Sequence, residues 1–113
     1  MKLYLMWHGE TLFNTLNRIQ GWCDSPLTEK GQDQARQVRA YFEKHDMTFD
    51  QYYCTTTERT SDTIELATGQ TDYQRVRGLK EMYFGIFEGQ PEYLHPKTSV
   101  AGHFGDHYAQ FGG

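Results

Sequence analysis

His8 closes an apolar run and is followed at once by Gly9, Glu10 and Thr11, with Asn14 one helical turn further on. A neutral imidazole in such a turn can attack phosphorus and carry a phosphoryl group. Gly9 would let the backbone approach an anion. A second polar group, Thr55 to Arg59, leads into a helical pattern. Free N–H groups at a helix start favour phosphate, and Arg59 adds a fork of donors suited to phosphoryl oxygens. Glu81 is the third candidate, able to protonate a leaving oxygen. Each residue also has a plainer reading. His8 could be a hydrogen-bonded strand end, Arg59 a member of a surface network with Glu58, Asp62 and Glu65, and Glu81 a solvated neighbour of Lys80. Their joint position at three successive strand ends favours chemistry, because open α/β sheets bind ligands there.

The elements that must position these groups are legible in the patterning. Residues 2–7, "KLYLMW", are continuously apolar after the lysine and predict a strand buried on both faces. Residues 10–26 have turn formers and no sustained period, and predict a loop over the sheet edge. Thr28 is a suitable N-cap, Glu29 complements the helix dipole, and Ala35, Val38, Tyr41 and Phe42 follow helical spacing, so a helix is expected over 28–45. Gly31 should weaken its start by about 1 kcal/mol. Residues 49–56, aromatic and β-branched, predict a second strand. Thr57 as cap, Ile64, Leu66 and Ala67 as core positions and Gly69 as stop predict a second helix. Residues 73–77 predict a third strand. Strand, helix, strand, helix, strand implies βαβ units and a parallel sheet. From residue 89 to 113 the pattern fails, and an irregular lid or excursion is expected.

Composition narrows the function classes. The chain has 113 residues, the size of one small domain, with 37% hydrophobic and 15% aromatic residues and a net charge of −4. Nothing suggests the clustered basic face of a nucleic-acid binder. The apolar runs are too short for a bilayer, and the N-terminus lacks a small-residue cleavage site, so a cytoplasmic protein is expected. Cys23 and Cys54 have no metal or disulfide spacing and read as reduced thiols. His103 and His107 have i, i+4 spacing, but Gly105 interrupts them and His95 stands apart, so no metal site is expected. Phe84, Phe87, Tyr93, Phe104, Tyr108 and Phe111 lack interleaved basic residues and read as core or lid lining.

At this point the motifs resemble a known family. "LYLMWHGETLFN", "GWCDSPLTEKGQDQA", "CTTTERTSDT" and "LKEMYFGIFEGQ", in this order over residues 3–90, are similar to the signature segments of the histidine phosphatase superfamily, in its phosphoglycerate mutase-like branch. The resemblance implies an α/β three-layer sandwich with a mostly parallel sheet. It implies His8 as the phosphorylated nucleophile and Glu81 as proton donor. Arg59 and Asn14 would hold the phosphoryl group, with Trp7, Gly9, Thr11, Gln20 and Gly21 completing the phosphate and substrate side. It implies no metal or organic cofactor, and small phosphate monoesters or inorganic phosphate as partners.

Two departures bear on activity. The family's arginine before the histidine is Trp7 here, and an indole offers one N–H and no charge. The family's second histidine, on a later strand, has no counterpart in residues 1–113, since none of His95, His103 and His107 follows an apolar strand. Weak or absent turnover is therefore expected. So is a chain whose exposed sheet needs a partner, such as a second copy.

Overall fold

A computed structural model describes residues 1–94 of the chain. Its frame is two helices beside a short parallel strand pair. A single turn of helix, α1, spans Leu12–Thr15. Helix α2 spans Glu29–Lys44, and its N-cap is Thr28, whose side chain accepts from the Gly31 N–H as its residue type predicts. Strand β1, Tyr53–Cys54, leads into helix α3, Glu58–Thr68, and then into strand β2, Gln74–Arg75. The strands pair in parallel, Tyr53 with Gln74 and Cys54 with Arg75, so one βαβ unit is present as expected. Gly69 ends α3 in the left-handed conformation, φ 72°, which a residue without Cβ adopts at no steric cost.

Helix α2 packs along α3. Gly31 and Ala35 are the buried residues of α2, and Ile64 and Ala67 are the buried apolar residues of α3. Of the larger positions expected to face the core, Val38 and Phe42 are half-buried, whereas Tyr41 is exposed. Gly31 is required for more than helix geometry. A Cβ there would collide with the Glu10 carbonyl, and one on Gly9 would collide with the Gly31 carbonyl. The helix accepts a poor helix former so that the chain leaving His8 can cross its first turn.

The strand expected over residues 2–7 does not form. The segment carries no strand pairing, and Leu3 (75%), Leu5 (86%) and Trp7 (75%) are exposed. Tyr4, pointing the other way, packs edge-on against Phe49 with ring centroids 5.2 Å apart. A continuous apolar run specifies a doubly buried strand only where ladders form on both edges, and β1–β2 is the one ladder of named strands among the described residues. The predicted second and third strands shrink to two residues each for the same reason.

The loop after α1 folds back on a later segment. Gly89 N–H donates to the Ile19 carbonyl (2.9 Å), Ile19 N–H to the Gln90 carbonyl (2.8 Å) and Glu92 N–H to the Asn17 carbonyl (2.7 Å). Beneath this crossing Ile19 and Phe84 form a small buried cluster with Met82 and Phe87, so Phe84 and Phe87 are core residues as their composition suggested. Tyr93, expected with them, is instead 80% exposed. The aromatic and histidine candidates from His95 onward lie outside the described residues.

Candidate active site

His8 is fixed from both helices although it belongs to neither. The Gly9 N–H donates to Thr63 Oγ1 on α3 at 3.1 Å, while Gly9 rests on the backbone of Gly31 at the start of α2. Glu10 continues the seam. Its carbonyl accepts the Thr28 N–H (2.9 Å) and its carboxylate accepts the Thr28 hydroxyl (2.9 Å). Thr11 is fully buried and caps α1 in a reciprocal box with Asn14. Asn14 Oδ1 accepts from both the N–H (2.9 Å) and the hydroxyl (3.0 Å) of Thr11. The amide nitrogen of Asn14 is then left as a donor.

An open cavity of about 210 Å³ lies in front of His8. Its walls bring together Trp7, His8, Asn14, Gln20 and Glu81, five of the residues singled out from sequence, with Arg18, Ile19, Phe84 and Glu92. His8 Nδ1 lies 2.7 Å from the Gly9 carbonyl. A carbonyl only accepts, so Nδ1 carries the proton and Nε2 keeps its lone pair. Burial lowers the His8 pKa from its ordinary 6.5; the Gly9 hydrogen bond opposes this, and the nearby Arg59 charge reinforces it against Asp24 and Glu81. The ring is therefore held neutral at pH 7. Glu81 Oε1 accepts its neighbour's N–H from Met82 at 2.9 Å, and its carbonyl accepts the Trp22 indole N–H at 3.0 Å.

Four predicted site residues do not line the cavity. Gly9 makes its close approach to Gly31 rather than facing open space, and Thr11 is spent on the α1 cap. The Gly21 carbonyl accepts from Arg59 Nη2 at 2.6 Å. Arg59 is 2% exposed, with Nη1 on the Cys23 carbonyl (2.7 Å) and on Asp24 Oδ1 (3.1 Å). Its Nε is buried with no acceptor among the described residues. The guanidinium thus acts on His8 through its charge from behind the cavity wall. At the start of α3, Asp24 Oδ2 takes the Glu58 N–H at 2.6 Å, while the N-cap Thr57 makes no side-chain cap bond. Asp24 also forms an ion pair with Arg59.

Sequence reasoning passed over Arg18, Glu92 and Glu88. The first two reach the cavity only because the loop at 17–19 pairs with 89–92. Glu88 stands just before a Gly, a position no local chemical pattern marks. Among the described residues no cluster of His, Cys, Asp and Glu suits a metal ion, and no helix is long and apolar enough to cross a membrane.

A histidine and a carboxylate thus share one cavity on an α/β frame with parallel strands. The chain belongs to the histidine phosphatase superfamily (branch 1), whose family model matches residues 3–110. It is similar to solved structures of that kind. YhfR of Bacillus stearothermophilus is 34% identical with a TM-score of 0.70, over 76% of this chain and 43% of that one. A phosphoglycerate mutase from Bacillus anthracis is 36% identical, with a TM-score of 0.67 over 74% of this chain and 38% of that one. A phosphoserine phosphatase from Entamoeba histolytica, solved with 3-phosphoglyceric acid, is 34% identical, with a TM-score of 0.68 over 80% and 45%. The chain spans less than half the length of each of these proteins.

Proposed function

We propose that the site serves phosphoryl transfer from small phosphate monoesters through a phosphohistidine at His8, with hydrolysis as the main outcome. The observation that carries this is the pairing of His8 and Glu81 across one cavity, with the His8 Nδ1 proton tied to Gly9. Nε2 attacks phosphorus, the ester oxygen leaves with the electron pair of the P–O bond, and Glu81 supplies its proton. Water then displaces the phosphoryl group from nitrogen. The amide nitrogen of Asn14 and the charge of Arg59 offset the anionic equatorial oxygens.

A specific feature limits the rate. Trp7 occupies the cavity wall beside His8, with ring centroids 6.1 Å apart, where the family signature has a cation. A lost charge-assisted contact is worth about 1.5–3 kcal/mol. The second reading follows from the same feature together with the sequestered guanidinium of Arg59: an anion site without chemistry.

Incubation with an aryl phosphate, followed by trapping of acid-labile phosphoprotein, separates the two. Slow turnover and a labelled His8 are expected. His8→Asn should remove both, a loss on the order of 10⁴-fold or more for a nucleophile. Phosphate binding with neither turnover nor label selects the second reading. The pH profile gives an independent check. Attack needs neutral His8, whose pKa is lowered, so kcat/KM should hold as pH falls past 6.5 and decline only below it. A decline starting well above pH 6.5 would remove His8 as the titrating nucleophile.

A further inference from the structure

The carboxylate of Glu88 gathers four backbone N–H groups. Oε1 accepts from Trp22 (2.7 Å) and Phe84 (3.1 Å), and Oε2 from Gly21 (3.2 Å) and Cys23 (3.0 Å). Three consecutive N–H groups on one carboxylate fix the orientation of the peptide planes at 21–23. The Gly21 carbonyl shares its peptide plane with the Trp22 N–H, so it faces the opposite way and accepts from Arg59 Nη2 at 2.6 Å; one plane further on, the Cys23 carbonyl accepts from Nη1 at 2.7 Å. Glu88 and Arg59 share no contact, yet each holds the other side of the same three-residue loop. Gly21 permits this approach, because a Cβ there would collide with the Met82 carbonyl and stand 2.5 Å from Glu88 Oε1.

We infer that Glu88 is the positioning residue for the Arg59 guanidinium, acting through the backbone of residues 21–23. Burial disfavours the Glu88 anion, but hydrogen bonds from the Cys23 thiol and from the N–H groups of Cys23, Trp22 and Phe84 outweigh it and lower its pKa from 4.5. The carboxylate is therefore charged at neutral pH. A carboxamide cannot replace it: one end of a glutamine would turn an NH₂ toward two N–H donors. The effect on phosphate binding rests on the proposed role of Arg59, whereas the mechanical link does not.

The test is Glu88→Gln in the full chain, read by the Arg59 Nε–H resonance and by titration with inorganic phosphate. The signal is assigned by its loss in Arg59→Lys. A shifted Arg59 signal with phosphate binding weakened about tenfold supports the link, on the scale of one hydrogen bond to a charged group. A shifted signal with unchanged phosphate affinity also supports it, and overturns Arg59 as a phosphate partner instead. An unchanged Arg59 signal in a folded variant overturns the inference. If the variant fails to fold, acid titration of the unsubstituted protein decides. The Phe84 N–H reports Glu88, whereas the Ser25 and Glu58 N–H groups report Asp24, whose carboxylate touches Arg59 directly. An Arg59 signal that follows the Phe84 midpoint, below 4.5, supports the link. One that follows only the Asp24 reporters overturns it.

Discussion

The residues before His8 and the residues after it are built by opposite means. Leu3 to Trp7 are apolar and exposed, with ring contacts among the described residues only from Tyr4 to Phe49 and from Trp7 to His8. Gly9 to Thr28 are mostly polar and small, yet they are tied down at nearly every step. Gly9 bonds to Thr63, Glu10 to Thr28 and Gln34, Thr11 to Asn14, and Phe13 to Ser25. Order here follows hydrogen-bond closure, because most polar groups find a partner, nearby in sequence, on an adjacent helix or in the segment at 88–92. Apolar surface has no such local solution. It needs a second surface of matching area, and none covers Leu3, Leu5 or Trp7 among the described residues.

The comparison can be broken at its junction first. Trp7 belongs to the exposed segment but borders the site, so Trp7→Arg should cost no packing and should raise kcat/KM about 10²-fold. No gain would mean that the pocket operates without a cation at this position. The closed region predicts a stability effect instead. Gly31→Ala improves intrinsic helix propensity by about 1 kcal/mol, yet the new methyl meets the Glu10 carbonyl. A net loss of about 1–3 kcal/mol in the denaturation free energy is expected. A gain would show that the chain after His8 does not sit against α2. The smallest effect belongs to the open segment. Leu5→Ser should shift stability by no more than about 0.5 kcal/mol, as for any surface position. A loss of about 2 kcal/mol or more would show that Leu5 is covered in solution, for instance by a second copy.

The same contrast explains what was readable in advance. Helices α2 and α3 were legible to within a residue or two, since Thr28, Gly69 and the spacing of Ala35, Ile64 and Ala67 are local signals. The His8, Asn14, Gln20 and Glu81 wall was legible through the resemblance of the ordered motifs, although the strand expected before His8 does not form. Arg59 was found as a residue but its contacts were not: its type says what it can bind, and only the fold brings its Nη atoms to the carbonyls of Gly21 and Cys23. Glu88 was invisible, because a carboxylate that anchors backbone N–H groups over sixty residues away leaves no periodic mark.

By itself the sequence determined the helices and the family, since caps, helical spacing and motif order are carried by residues close together in the chain. The tertiary structure decided whether "KLYLMW" became a sheet strand, which cation faced the cavity and which carboxylate turned to the backbone. Those outcomes depend on partners distant in the chain. A ladder, an ion pair or a buried anion exists only when the fold brings its second half within hydrogen-bond reach.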